Sequence, residues 1–110
     1  MSNLFTDVRV GCLATVNRDG SPRATPLHFT LTESKLIWLS PETAVHSQNI
    51  ARDGQATFAA WQSPTISICV TGEARVANGD EAAELTAIYR EKLGESPKLD
   101  GALVYVIDRA

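Results

Sequence analysis

Between Arg23 and Asn49 lie the side chains best suited to holding a polar ligand. Arg23 and Thr25 begin one strand-like run, Ser40 ends the next, and Thr43, His46, Ser47 and Asn49 sit on the helix-like segment that follows. A guanidinium can pair bidentately with a phosphate. The hydroxyls of Thr25, Ser40 and Thr43 can donate to the same anion, and a helix beginning at Ser40-Pro41 would add free backbone N–H groups. If the two runs pair, these features converge at one barrel rim, and the chemistry they suit is recognition of a phosphate-bearing ligand. Glu42 would then have to point to water. In the plainer reading, Arg23 is a solvated strand end and Ser40 merely a helix cap.

Familiar catalytic constellations are missing. The chain has no GxGxxG, no Walker loop and no Gly-x-Ser-x-Gly turn. Its two histidines, His28 and His46, are too few for a histidine-rich metal site. Most acidic residues fall in turns and on a second helix-like segment, where a charged face is ordinarily solvated. No residue stands out as a general acid or base.

The elements that must position these groups follow from periodicity. Arg9 to Asn17 alternates, with Val10, Cys12, Ala14 and Val16 on one face and Leu13 and Thr15 on the other. Asn17-Arg18-Asp19-Gly20 is a hairpin signal. Arg23 to Leu31 resumes the alternation, but Pro22 and Pro26 cannot donate to a ladder, which places this strand at an edge or interrupts it. Thr32-Glu33-Ser34 is a turn, and Lys35 to Leu39 a third strand, apolar on both faces. Ser40 and Pro41 read as cap and first residue of a helix that Asp53-Gly54 ends.

Gln55 to Trp61 is a fourth strand. Thr65 to Ala77 is a long fifth one that must bend, with Gly72 the natural place. A second helix runs from an Asp80 cap to about Leu93, with Leu85, Ile88 and Tyr89 as its buried stripe and Gly94 as its stop. Leu103 to Ile107 is a last strand, central or covered. Six strands of this kind point to a closed or nearly closed antiparallel barrel, with the helices outside it or plugging an end.

At 110 residues the chain reads as one domain, with room for one core but not for a deep private cavity around a large ligand. A net charge of −3 argues against nucleic acid or an anionic membrane as partner. No apolar run is long enough to span a bilayer. Cys12 and Cys69 read as reduced, buried thiols of a cytoplasmic protein.

The run Gly11-Cys12-Leu13-Ala14-Thr15-Val16-Asn17-Arg18-Asp19-Gly20-Ser21-Pro22-Arg23-Ala24-Thr25-Pro26-Leu27 resembles the opening of the pyridoxamine-phosphate-oxidase-like, FMN-binding split-barrel family. Lys35-Leu36-Ile37-Trp38-Leu39-Ser40, the stretch His46 to Gly54, and Gly72-Glu73-Ala74-Arg75-Val76 resemble its later motifs in order and spacing. The resemblance implies a six-stranded antiparallel split β-barrel of Greek-key type that forms a homodimer, with FMN sites built at the interface from both subunits. It implies that Arg23, Ala24, Thr25 and Pro26 line the flavin and its phosphate. Leu39 and Ser40 would touch the flavin or ribityl chain, and Thr43, His46, Ser47 and Asn49 would lie on the phosphate side. Trp61 and Gln62 would approach from the other subunit.

Two departures matter. Many members have Lys or Arg where this chain has His46, although a neighbouring anion would favour the protonated imidazole. The chain also lacks the C-terminal substrate motif of true pyridoxamine phosphate oxidases, so vitamin B6 oxidation is not the expected activity. The resemblance therefore implies an FMN-dependent oxidoreductase-like protein acting on a small molecule, with a nicotinamide donor as one source of electrons. The alternative is a non-catalytic carrier or sensor of flavin, deazaflavin or haem, with His28 or His46 as axial ligand in the last case.

Overall fold

The computed structural model describes Phe5, residues 7–94 and residues 101–109. Seven strands and two helices follow one another as β1 (Val10–Val16), β2 (Pro22–His28), β3 (Thr30–Leu31), β4 (Lys35–Ser40), α1 (Val45–Arg52), β5 (Gln55–Ser63), β6 (Ile66–Val76), α2 (Gly79–Leu93) and β7 (Leu103–Asp108). The strands form one antiparallel sheet in the order β2-β1-β5-β6-β7-β4-β3. The sheet curls until β2 nears β4 without pairing to it, which leaves a half-barrel with a split.

The expected second strand is divided, and this accounts for seven strands instead of six. Pro22 to His28 pairs with β1, while Thr30 and Leu31 pair with Ile37 and Leu36 of β4. Phe29, fully buried, makes the corner between them, its N–H donating to the Arg9 carbonyl. With prolines at positions 22 and 26, β2 lacks donors for a further neighbour and stays an edge. The long β6 bends where expected. It pairs with β5 up to Glu73 and with β7 from Ala74 onward, so the change of partner comes one residue after Gly72.

The barrel interior holds Leu13, Phe29, Leu36, Trp38, Phe58, Tyr105 and Ile107. Trp38 stacks on Tyr105 with ring centroids 5.7 Å apart. A second core lies on the opposite face of β4 and β7, where Leu85, Tyr89 and Leu93 of α2 cover Ile37, Leu39, Val104 and Val106. Helix α2 begins at Gly79, a residue before the expected cap, and ends at Gly94 with φ of 70°. Arg75 secures its start by pairing with both carboxylate oxygens of Glu81 at 2.8 and 2.9 Å, and it also reaches Asp108.

Helix α2 covers only one half of the sheet's outer surface. On the other half, register places Pro26, Cys12, Ala59 and Cys69 in one row and Ala24, Ala14, Thr57 and Thr71 in the next. Trp61 stands on the same face, 65% exposed. The two thiols are therefore not buried as the sequence suggests: Cys69 is exposed and Cys12 partly so, because among the described residues no helix lies over these strands. Among the described residues no helix is long and apolar enough to cross a membrane.

Candidate functional site

The first helix starts later than its sequence signals imply. Ser40 stays in the sheet, paired with Leu103, and Pro41 to Thr43 form a turn closed by the Ala44 N–H donating to the Pro41 carbonyl. Helix α1 begins at Val45 with Ala44 as an extended N-cap residue and no capping side chain. Ser40 is thus no cap. Its hydroxyl shares a 2.8 Å hydrogen bond with His46 Nε2. Glu42 is exposed to solvent, as a phosphate site nearby would require.

A polar cluster fastens α1 to the end of β1 and the β1–β2 turn. Buried Asn49 donates through Nδ2 to Thr15 Oγ1 at 3.1 Å and to Asn17 Oδ1 at 3.0 Å. Arg52, one turn later, donates to Asn49 Oδ1 at 3.1 Å and to the Val16 carbonyl. Arg23 enters from β2, its Nε donating to Asn17 Oδ1 at 2.9 Å. The turn itself takes the expected form, with Gly20 at φ of 91° and the Asp19 carboxylate accepting from Ser21. An open groove of about 420 Å³ runs between this turn and α1, lined by Asn17, Arg18, Asp19, Val45, Gln48, Asn49 and Arg52.

The site is electropositive but holds its histidine neutral. Burial, reinforced by the Arg23 charge, lowers the His46 pKa from its ordinary 6.5. At pH 7 the imidazole is uncharged, and Arg23 and Arg52 carry the positive charge.

Of the residues singled out from the sequence, the fold brings Arg23, Ser40, His46 and Asn49 to one end of the split. Thr25 sits beside Arg23 on the same inward face, opposite Leu13. Ala24 and Pro26 lie on the outer face. Leu39 packs under α2, and Thr43 is exposed with its carbonyl accepting from Gln48. Ser47 turns inward on the face of Ile50, and its buried hydroxyl has no partner among the described residues. Trp61 and Gln62 stand at the opposite end of the sheet within this chain, where the Gln62 side chain accepts from the Phe5 N–H. His28 lies on the outer face, opposite Val10.

Three cluster members were not anticipated as site residues. Thr15 had a signal, being a hydroxyl on the inward face of an apolar strand. Arg52 had one too, standing three residues beyond Asn49 on the same helix. Asn17 looked like a turn residue only, and nothing local marked it as the hub.

Among known families, the one described as pyridoxamine 5'-phosphate oxidase matches residues 1–108. The chain belongs to this family. No curated protein matches it. Among solved structures, a haem-binding protein from Mycobacterium smegmatis superposes with a TM-score of 0.79 at 24% identity, over 90% of this chain but 45% of its own. HutZ, the haem storage protein from Vibrio cholerae, gives 0.78 at 18% identity, over 96% and 85% of the two chains. An F420 reductase gives 0.70 at 16%, over 93% and 86%. At these identities the likeness establishes the fold. The chain spans less than half the length of the mycobacterial protein.

Proposed function

We propose that this chain binds FMN at a homodimer interface and serves in electron or hydride transfer with a small-molecule substrate. The observation that carries the reading is the donor set at the mouth of the split. The Arg23 guanidinium keeps its outer nitrogens available while Nε is fixed by Asn17. Arg52, the Ser40–His46 pair and the uncapped N–H groups of α1 stand near it. Among the described residues Asp19 is the one carboxylate lining the groove, and it is already engaged by Ser21. Such a donor-rich, acid-poor setting fits a phosphate monoester.

FMN, when bound, supplies the redox chemistry through its isoalloxazine ring. The protein's own residues bind and orient. Arg23 offers a planar fork to the phosphate. His46 is neutral beforehand and takes up a proton as the anion arrives, because an adjacent negative charge favours imidazolium. Ser40 fixes the imidazole through Nε2 and leaves Nδ1 as the remaining ring nitrogen.

The uncovered outer face of β1, β2, β5 and β6 supports the dimer. It presents Cys12, Ala14, Ala24, Pro26 and Ala59 in an even layer of small side chains, with Trp61 at its margin. A second copy would bury this surface and add walls to a site that one barrel leaves open. A deazaflavin or haem carrier remains the second reading, favoured by the F420 reductase and the haem proteins that share the fold. His46 argues against axial ligation, since its Nε2 is committed to Ser40.

An absorption spectrum of the purified protein, followed by NADH or NADPH titration, separates these. A flavin spectrum bleached by a nicotinamide supports the proposal, and a Soret band supports haem. Arg23→Ala should weaken FMN by roughly 10- to 100-fold, the worth of a charged hydrogen bond, and leave riboflavin nearly unchanged. Equal loss for both ligands would remove Arg23 from the phosphate site.

A further inference from the structure

A larger cavity than the groove beside α1 lies at the other end of the barrel. It measures about 1060 Å³ and opens between the segment preceding β1, the short β3, the start of β6 and the last turn of α2. Arg9, at the head of β1, borders it, whereas Thr15 and Asn17 at the foot of β1 belong to the cluster around Arg23. A strand of this length separates the two by roughly 20 Å, and they share no residue.

The cavity combines apolar side chains with a cation that no carboxylate among the described residues pairs with. Phe5, Leu31, Ile68 and Ile88 supply the walls. Lys92 projects from α2 so that its Nζ lies 4.1 Å from the centroid of the Phe29 ring. Arg9 stands close by and donates to the Leu93 carbonyl at 3.2 Å. Among the described residues no carboxylate comes within ion-pair distance of Lys92. The acids that border the cavity, Asp7, Glu33 and Glu91, are exposed, whereas Lys92 is partly buried.

We propose that this cavity binds a small organic anion with an apolar body, its negative group held by Lys92 and Arg9 and its body lying against Phe5, Leu31, Ile68 and Ile88. The volume matches small-molecule sites, which are mostly apolar with a few convergent polar groups. The electrostatics point the same way. Burial, and then the Arg9 charge, bring the Lys92 pKa down to about 8, so the ammonium is held at a cost that an anion would relieve. A neutral or cationic ligand of the same shape would leave that cost in place. This site stands whether or not the distant cluster binds a flavin phosphate.

Benzoate is a suitable probe, with benzyl alcohol and benzylamine as neutral and cationic counterparts. Binding can be followed on full-length protein through NMR shifts of the lysine Cε groups. Benzoate should shift Lys92 saturably and raise its titration midpoint above about 8. Lys92→Gln and Arg9→Gln should each weaken benzoate by about tenfold or more, the scale of a lost charged hydrogen bond, without changing FMN affinity. The proposal is overturned if benzoate leaves Lys92 unmoved, if benzyl alcohol or benzylamine binds as well, or if both variants bind benzoate like the parent.

Discussion

Replacing Asn49 by alanine tests whether the polar cluster holds α1 in place. Asn49 is 3% exposed and connects the helix to Thr15 and Asn17 through one amide nitrogen, while its oxygen accepts from Arg52. The partners are not equally harmed by its loss. Asn17 Oδ1 keeps Arg23, and Arg52 keeps the Val16 carbonyl. Thr15, 2% exposed, loses the side-chain partner of its hydroxyl. An orphaned buried hydroxyl costs about 1–3 kcal/mol, and the bond lost to Asn17 about 1 kcal/mol more. Asn49→Ala should therefore destabilise the ligand-free protein by roughly 2–4 kcal/mol, or lower Tm by about 10–25 °C.

The assay is urea unfolding followed by far-ultraviolet circular dichroism at pH 7.5. A double-mutant cycle locates the cause. Thr15→Val removes the orphan, so the Asn49→Ala/Thr15→Val pair should be more stable than the sum of the single losses by about 1 kcal/mol or more. An Asn49→Ala loss below about 0.5 kcal/mol, or a strictly additive cycle, would refute the reasoning.

Gly11 sits where β1 crosses Phe58, and a methyl there would lie 2.4 Å from Phe58 Cε1 and 2.9 Å from the Ala59 carbonyl oxygen. Gly11→Ala should cost about 1–3 kcal/mol in chemical denaturation, as overpacking does. Ala59→Glu, in the centre of the uncovered face, should give a folded monomer by light scattering with unchanged circular dichroism. A dimer in the variant would place the interface elsewhere. The His46 pKa is lowered in the folded state, so below pH 6.5 the unfolded chain takes up the proton first and stability falls with pH. His46→Gln should flatten that limb of a pH–stability curve. In the parent, FMN affinity should rise as pH falls toward 6, because the bound phosphate reverses the preference.

Much of the barrel was legible because its cues are local. Gly20 takes a positive φ in the hairpin turn, Gly72 precedes the bend of β6, and Gly94 closes α2 with a positive φ. The start of α1 departs from its sequence signals, since Ser40-Pro41 carries a strong cap signal but the helix begins at Val45. Pairing with Leu103 of β7, a partner far along the chain, keeps Ser40 in the sheet instead. The break at Phe29 was hidden for a similar reason. Alternation continues through it, and only the curl of the sheet forces the two halves of the strand onto different neighbours. Burial of Cys12 and Cys69 depended on which sheet face a helix would cover, and periodicity alone cannot specify that. In the site, Arg23, Ser40 and His46 were visible as residue types, but the hub at Asn17 arises from tertiary contact.

A histidine at position 46, where the family resemblance implies a lysine or arginine, would change how a phosphate site there works. A lysine or arginine at position 46 would be repelled by Arg23 in the ligand-free protein. A neutral imidazole avoids that repulsion, and burial together with the Arg23 charge is what keeps it neutral. The charge would then appear only when an anion is present to stabilise it, and Ser40 already holds the ring. Part of the binding energy would then go into protonating the ring. In return, the ligand-free fold is spared a third cation at the mouth of the split. Affinity for an anion would then carry a pH dependence from the imidazole that a lysine would not contribute.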